Sequence, residues 1–182
     1  MAPAPTLNTD RLLLRPFRSD DAPDVQDLAG VYDVARGTLI LPHPYPDGEA
    51  ERWIANLQRE ADAGTLVNFA IMLREENHLI GSIGLDIAAT HRHARMSYWL
   101  GQPYWNRGYC TEAVRALLAY GFRQLHLHRI YASHFLNNPA SGRVLQKVGM
   151  AYEGRLREHY LRFGRYVDVE LYGLLENEFN QS

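Results

Sequence analysis

The sequence predicts an α/β fold built on a mixed, mostly antiparallel sheet of about seven strands flanked by four helices. Runs rich in apolar, β-branched and aromatic residues alternate with segments whose apolar residues recur at helical spacing. Two short polar turns, at 75–77 and 90–91, join three successive strand-like runs and indicate an antiparallel meander. Helices and strands then alternate, so the predicted order is β-α-α-β-β-β-α-β-α-β-β.

The first strand and the first two helices are expected before residue 65. The strand covers Leu7 to Phe17, whose apolar run ends at a proline. The segment 19–23 begins the first helix, because it combines cap-type and acidic residues with an early proline. Three prolines within 37–46 predict a loop. Asp47 is expected to cap the second helix, which ends near Gly64 and carries apolar residues at three- and four-residue spacing.

The rest of the chain supplies six more strands and two more helices. β-branched and aromatic content marks the strands, and the second of these helices opens with Asn138-Pro139 and stops at Gly149. The predicted elements are strands at 66–73, 78–87 and 92–100, a helix from Ala113 to about 125, a strand at 129–135, a helix at 138–148, and strands at 151–161 and 166–175.

Composition indicates an ordinary globular protein. With 182 residues, of which 46% are hydrophobic and 22% charged, the chain suits a flexible N-terminus at 1–6 and a single domain at 7–178. A net charge of −2 gives no reason to expect nucleic acid as a partner, and no apolar run is long enough for a membrane span. The first five residues lack signal-peptide features, and the single cysteine fits a reducing compartment, so a cytoplasmic location is predicted.

The stretch from Tyr104 to Ala113 predicts an anion site. It joins a strand to a helix through a glycine-bearing loop, so free backbone N–H groups and the positive end of the helix dipole point at the loop. Gly108 allows close approach of a ligand, while Arg107 and Thr111 add donors. The stretch has neither a Walker GK[ST] ending nor a GxGxxG run, which gives no support to a nucleoside triphosphate or NAD.

Cys110 and two His-x-His pairs suggest rival chemistries. A thiol at a helix N-terminus can act as a nucleophile, but spacing assigns Cys110 no histidine or aspartate partner, and a small buried residue is the favoured interpretation. The pairs His91/His93 and His126/His128 lie at predicted turns or element ends without a third ligand. We therefore expect solvated loop histidines and no metal site.

Four segments carry a resemblance to a known family. They are Thr9 to Arg15 followed by Asp20-Asp21; Tyr98-Trp99-Leu100 through Trp105 to Ala113; Asn138 to Ser141 followed by Lys147 to Met150; and Gly164 to Val169. Together they resemble the GNAT acyltransferase superfamily, most closely its ribosomal-protein N-terminal (alanine/serine) acetyltransferases. The resemblance implies the GNAT-like acyl-CoA N-acyltransferase fold and transfer of an acetyl group from acetyl-CoA to an amine, without a metal.

The resemblance also implies where acetyl-CoA would bind. The loop would hold the pyrophosphate, the backbone of Trp99 and Leu100 would pair with the pantetheine arm, and an N–H near Leu100 would polarise the thioester carbonyl. The implied cofactor-binding residues are Trp99, Leu100, Asn106, Arg107, Gly108, Tyr109, Cys110, Thr111, Asn138 and Ser141. The superfamily loop is written Q/R-x-x-G-x-G/A, and this chain departs from it with Trp105 at the first position and Cys110 at the last.

Asn138 and Ser141 have two interpretations. Asn138 is a preferred N-cap, Pro139 suits the first helical position and Ser141 falls at the third, so helix capping explains them fully. By resemblance, Asn138 would bond the cofactor arm, and the Ser141 hydroxyl would protonate the departing thiolate. The catalytic residues implied are therefore Ser141 and Leu100.

The sequence provides no confident general base. Many relatives carry a glutamate where Arg95 stands, and some place a carboxylate at the position of Tyr160, beside Glu158. An α-amine has a pKa of ~7.7–8.0 against ~10.4 for lysine, so the missing base favours an α-amine acceptor. The substrate-binding residues implied are His43, Tyr45, Trp53, Glu158 and Tyr160. A small-molecule amine (polyamine, amino acid or drug), a catalytically weak acyl-CoA-binding regulator and a homodimer stay open as alternatives.

Overall fold

The computed structural model describes residues 4–179 and contains one sheet. Within these residues the sheet has eight strands, ordered β1-β2-β3-β4-β5-β6-β8-β7. Every neighbouring pair is antiparallel except β5 and β6, which are parallel. The strands are β1 Leu7–Asn8, β2 Leu12–Arg15, β3 Leu66–Leu73, β4 His78–Ala88, β5 His93–Leu100, β6 Arg129–Phe135, β7 Ala151–Arg162 and β8 Arg165–Leu175. The mixed, mostly antiparallel α/β sheet is confirmed.

The α-helices of the described chain are α1 Ala22–Ala29, α2 Tyr32–Ala35, α3 Glu49–Asp62, α4 Tyr109–Arg123, α5 Pro139–Lys147 and α6 Glu176–Phe179. The predicted count of four omitted α2 and α6, which are single turns too short to show a helical period. Single turns of 3₁₀ helix lie at Ser19–Asp21, Ala89–His91 and Gln102–Tyr104.

The predicted first strand, from Leu7 to Phe17, is divided in two. Thr9 makes a tight turn, because its N–H donates to the Leu12 carbonyl and its Oγ1 accepts from the Leu12 N–H, at 3.0 and 2.9 Å. β1 therefore folds back antiparallel onto β2, and the strand count rises from seven to eight. The first part of the predicted flexible segment 1–6, residues 1–3, lies outside the described residues.

Two helix starts also differ from the prediction. Gly48, with φ +76°, occupies the N-cap of α3 in place of Asp47. Gly108, with φ +81°, is the N-cap of α4, so the helix begins at Tyr109 rather than near Ala113. Both glycines adopt the left-handed conformation that other residues rarely take. As a result, Tyr109 to Thr111 form the first helical turn instead of a loop.

Two apolar layers cover the sheet. α4 and α5 pack on one face, where Phe69 and Ile71 of β3 are fully buried. The first three helices pack on the other face, against Ala70, Met72 and Trp99. Alternate residues of a strand point to opposite faces, so the uninterrupted apolar run of β3 supplies both layers.

The parallel strands β5 and β6 pair over only part of their length, and the gap beyond the pairs positions the candidate site. Pairing covers only His93–Arg129, Ala94–Ile130 and Arg95–Tyr131. β6 continues beyond these pairs against β8 as far as Phe135, while β5 continues against β4 as far as Leu100. The two strands therefore diverge, and a wedge opens between 96–100 and 132–135. We call this gap the wedge.

Candidate active site

The N-terminus of α4 presents a set of unpaired backbone donors. No side chain caps Gly108, and the first intrahelical bond joins the Glu112 N–H to the Gly108 carbonyl at 3.1 Å. The N–H groups of Tyr109, Cys110 and Thr111 precede that bond, as expected for the first turn of a helix. Together with the helix dipole they fit a phosphate group.

Arg11 and Glu112 support this turn, and sequence reasoning missed both. Glu112 accepts from the Thr9 hydroxyl at 2.6 Å and from the Arg11 N–H and Nε at 2.8 Å each. Burial alone would raise the pKa of Glu112, but these hydrogen bonds outweigh it and hold the pKa below its usual value. Arg11 also donates to the Arg107 carbonyl at 3.0 Å and lies over the Tyr109 ring, 4.5 Å from its centroid. The conformation of the first turn of α4 therefore depends on the turn between β1 and β2.

The exposed side of β5 offers backbone groups to the wedge. The Gly101 N–H bonds to the Ile80 carbonyl on the β4 side at 2.9 Å. Direction alternates along an antiparallel ladder, so Tyr98 and Leu100 direct their N–H and C=O groups away from β4, toward the wedge. Trp99, whose backbone was predicted to face the pantetheine arm, directs these groups toward β4 instead. The indole Nε1 of Trp105 donates to the Leu100 carbonyl at 2.8 Å. The Leu100 N–H thus faces the wedge as a donor.

Ser141 lies across the wedge from β5 and contacts Tyr98. The two hydroxyl oxygens are 2.7 Å apart, and the Tyr98 hydroxyl also lies 3.3 Å from the Ser141 carbonyl. Burial raises the pKa of Tyr98, so its phenol stays protonated. This contact joins β5 to the N-terminal turn of α5 where the sheet itself is split. Tyr98 was part of the family resemblance but was not predicted as a site residue.

Asn138 uses its side chain for structural contacts. Its Oδ1 accepts from the Ser141 N–H at 3.3 Å and so caps α5, as the capping interpretation expected. Its Nδ2 donates to the Gly37 carbonyl at 3.3 Å, which holds the loop after α2 against α5. Asn138 therefore orients Ser141 and positions the loop.

Cys110 lacks the environment of a nucleophile. Burial raises the pKa of its thiol to about 12, the opposite of the shift that a reactive cysteine requires. The thiol therefore stays protonated at neutral pH, which favours the predicted packing role.

On the other face, the β7–β8 hairpin contacts the loop after α2. Arg162 donates to the carbonyls of Ala35 at 3.0 Å and Thr38 at 2.9 Å, and also to that of Leu41. Its guanidinium lies over the Phe163 ring, 4.0 Å from the centroid. Sequence reasoning missed Arg162, since nothing in the local pattern pairs it with carbonyls so distant in the chain.

The predicted substrate-binding residues lie in two groups. His43 belongs to the rim formed by the hairpin and the loop, because its ring lies 5.0 Å from that of Tyr32, which in turn lies 5.8 Å from Phe163. Trp53 is half-buried with its ring 4.9 Å from that of Phe17, within the apolar layer of the first three helices. Tyr45 is half-buried there too, and burial, with Glu49 and Glu51 nearby, raises its pKa to about 12.

Glu158 and Tyr160 lie on a bulge of β7. The register shifts by two residues between Leu156 and Tyr160, and Glu158 adopts φ +48° there. The Glu158 N–H donates to Asp168 Oδ1 at 2.6 Å, while its carboxylate is exposed. The Tyr160 ring lies 6.4 Å from that of Phe135. The bulge therefore places the Tyr160 ring against Phe135, at the open end of β6, and the Glu158 side chain in solvent.

The histidine pairs do not all lie in solvated loops as predicted, because His93 belongs to β5 and is partly buried. The rings of His91 and His93 stack at 5.6 Å, without further ligands. Within residues 4–179, no group of three or more histidine, cysteine, aspartate or glutamate side chains could hold a metal ion. Among the same residues, no helix has both the length and the apolar character needed to cross a membrane.

Comparison with known proteins identifies the family. A model described as an acetyltransferase (GNAT) domain matches residues 11–151, so the chain belongs to the GNAT acetyltransferases, and the resemblance seen in the sequence is confirmed. The protein is thus an acetyl-CoA-dependent N-acetyltransferase.

Three similar proteins cover nearly the whole chain. An uncharacterized N-acetyltransferase, p20, of Bacillus licheniformis is 31% identical over 176 residues, which are 96% of this chain and 98% of that protein. The [ribosomal protein uS5]-alanine N-acetyltransferase of Escherichia coli is 26% identical over 182 aligned residues, 94% of this chain and 91% of that one. The crystal structure of a GNAT-family acetyltransferase from Bacillus anthracis matches with a TM-score of 0.84 at 27% identity, covering 95% and 99% of the two chains.

Proposed function

We propose that this enzyme acetylates the α-amine at the N-terminus of a protein, by direct transfer in a ternary complex. The name of the Escherichia coli relative, a ribosomal-protein alanine N-acetyltransferase, supports this choice of acceptor. Arg95 supports it too, because it stands on β5 where many relatives have a glutamate base. The nearby Asp86 carboxylate is paired with Arg95 at 2.7 Å. An α-amine, with a pKa of ~7.7–8.0, is partly neutral at pH 7 without a base.

The residues at the wedge would hold acetyl-CoA. The first turn of α4, with Arg107, would bind the pyrophosphate, and the backbone of Tyr98 and Leu100 would pair with the pantetheine arm as a missing strand would. These groups fit acetyl-CoA because the open side of β5 is followed along the chain by the uncapped N-terminus of α4. One extended ligand could therefore contact both. Bound acetyl-CoA supplies the activated acetyl group.

The same residues would promote the transfer. The Leu100 N–H would donate to the thioester carbonyl oxygen as negative charge develops there. The amine nitrogen forms a bond to the carbonyl carbon, and the carbon–sulfur bond breaks. Ser141 would donate its hydroxyl proton to the leaving sulfur, the amine would lose its proton to water, and Ser141 would regain a proton from that water. The Ser141 hydroxyl facing the split sheet, 2.7 Å from Tyr98, is the single observation that carries this mechanism.

An acceptor panel tests the proposal. The purified protein is given acetyl-CoA and, separately, a peptide with a free N-terminal alanine, the same peptide with a blocked N-terminus and one internal lysine, and spermidine. We expect release of free CoA thiol with the free N-terminus and little with the other two, because their amines are almost fully protonated at neutral pH. Faster turnover of spermidine or of the internal lysine would refute the α-amine acceptor and favour the small-amine alternative.

A further inference from the structure

A cavity on the sheet face away from α4 and α5 has no role in the proposed chemistry. It measures about 310 Å³ and is lined by Asp86, Ile87, Ala88, His93, Arg95 and Tyr131. It lies at the start of β5, where β5 and β6 are still paired. This cavity is called the β5 cavity below.

The β5 cavity contains polar groups without protein partners. His93 Nδ1 is buried and makes no hydrogen bond within residues 4–179. Arg95 directs Nε and Nη2 to a single oxygen of Asp86, at 2.9 and 2.7 Å, so no described bond uses its Nη1 or the second Asp86 oxygen. Buried polar atoms are nearly always hydrogen-bonded, so His93 Nδ1 suits a polar ligand group, and the partly exposed Arg95 and Asp86 side chains offer further polar atoms beside it.

The β5 cavity is connected to the predicted acceptor site. Burial alone would lower the pKa of Arg95, but Asp86 raises it, with smaller contributions from Tyr160 and Tyr131. Arg95 therefore stays charged, and Tyr160, predicted to bind the acceptor, lies near it. Tyr131 is the pairing partner of Arg95 on β6.

Two small polar residues lie at the narrow end of the wedge, next to the β5 cavity. Ser97 of β5 and Ser133 of β6 each lie two residues beyond the last paired positions, Arg95 and Tyr131, and share their face of the sheet. Ser97 is exposed and Ser133 is partly exposed. Because both side chains are small, we expect that an extended acceptor can lie along the two strands from the open end of the wedge to the β5 cavity.

The length of this path defines the acceptor. A strand rises about 3.3 Å per residue, so Arg95 lies about 10 Å and His93 about 16 Å along β5 from Tyr98. An extended peptide has the same rise. A peptide whose first residue lies beside Tyr98 would therefore place its fourth to sixth residues at the β5 cavity, whereas a single amino acid amide would not reach it.

We propose that the β5 cavity is a subsite for the fourth to sixth residues of an extended polypeptide acceptor. Arg95 Nη1 donates to a carbonyl or carboxylate of the peptide, and His93 Nδ1 bonds a second polar group. This inference rests on the proposed N-terminal acetylation and defines its acceptor as a chain end of at least four or five residues.

A length series tests the subsite. Amides that begin with alanine and extend from one to six residues are acetylated by the full-length protein, and kcat/KM is measured for each. We expect kcat/KM to rise about tenfold between two and six residues, the gain from one or two hydrogen bonds to a charged group. Arg95→Gln and Ala88→Trp, which remove the donor and fill the cavity respectively, are each expected to abolish the rise. Turnover of alanine amide should stay unchanged in both.

Arg123→Gln serves as the matched control, because Arg123 is exposed at the end of α4, on the opposite side of the sheet. It should keep the full length dependence. A flat length series in the wild type, or a rise that persists in both cavity variants, would overturn the subsite while leaving N-terminal acetylation intact. An enzyme that acetylates no peptide of any length, yet acetylates a small amine, would overturn both.

Discussion

Removal of the Tyr98 hydroxyl tests whether the contact across the wedge assists catalysis. The two hydroxyl oxygens of Tyr98 and Ser141 are 2.7 Å apart, and a phenol is a stronger acid than an aliphatic alcohol. Either hydroxyl can be the donor, and we expect Tyr98 to donate to Ser141 Oγ, which leaves the Ser141 proton free to point at the leaving sulfur. Tyr98→Phe removes this donor and keeps the buried ring.

The expected magnitude follows from the hydrogen bond. A neutral hydrogen bond contributes about 0.5–1.5 kcal/mol. If Tyr98→Phe loses that amount only in the transition state, kcat falls about twofold to tenfold, and KM for acetyl-CoA stays the same. Ser141→Ala removes the proton donor itself and should lower kcat by about a hundredfold. The double variant should be no slower than Ser141→Ala, because Tyr98 acts through Ser141.

The assay follows release of free CoA thiol under saturating acceptor, with circular dichroism to check folding. Tyr120→Phe is the matched control, since Tyr120 is also a buried tyrosine, with its ring 5.7 Å from that of Phe69, and lies outside the wedge. Additive losses in the double variant would refute the relay through Ser141. Full activity of Ser141→Ala would remove Ser141 from the mechanism altogether.

Two further predictions concern stability and cofactor binding. Asp21→Asn leaves the buried Arg15 guanidinium unpaired, 2.7 Å from the lost carboxylate, and should lower the free energy of unfolding by about 3 kcal/mol in urea titrations. Burial alone would raise the pKa of Asp21, but hydrogen bonds from Arg15 hold it below its ordinary value of 3.8, so this stabilisation is present at neutral pH and is lost as pH falls through the folded-state pKa. Arg11→Ala removes the side-chain hydrogen bonds to the Arg107 carbonyl and to Glu112, and should weaken CoA binding about tenfold by calorimetry.

Each of these predictions has a neighbouring control. Asp20→Asn changes an exposed carboxylate one residue away and should leave the unfolding free energy within about 0.5 kcal/mol of wild type. An acid dependence that is equally steep in Asp21→Asn and the wild type would contradict the linkage argument. Arg123→Ala should keep wild-type CoA affinity, and unchanged affinity in Arg11→Ala would show that CoA binding at the α4 turn does not depend on the turn between β1 and β2.

Local patterns predicted most of the fold. The bounds of β3, from Leu66 to Leu73, and of β6, from Arg129 to Phe135, were predicted without error, because apolar runs bounded by polar turns mark them clearly. The break at Thr9 was missed, since it depends on a side-chain hydrogen bond inside an otherwise strand-like run. The start of α4 was placed too late because a glycine N-cap leaves no cap-type side chain to recognise.

The site was predicted only where its residues are neighbours in the sequence. The stretch from Arg107 to Thr111 could be recognised because strand, glycine and helix follow one another in the sequence. The residues that hold that stretch in place, Arg11 and Glu112, could not be recognised in this way. Arg11 reaches Glu112 from the other end of the chain, and neither residue type nor spacing indicates that the two side chains meet. Tyr98 and Ser141 likewise meet only because the sheet is split.

The loop after α2 is bound on two sides by side chains that lie far from it in the sequence. Asn138 of the α5 cap bonds the Gly37 carbonyl, and Arg162 of the hairpin bonds the carbonyls of Ala35, Thr38 and Leu41. These bonds tie the half of the sheet beyond β6 to the helical layer that packs on β5. We therefore infer that contacts outside the sheet help to set the spacing of the two diverging strands, and we expect changes in the hairpin to alter the affinity for acetyl-CoA from a distance.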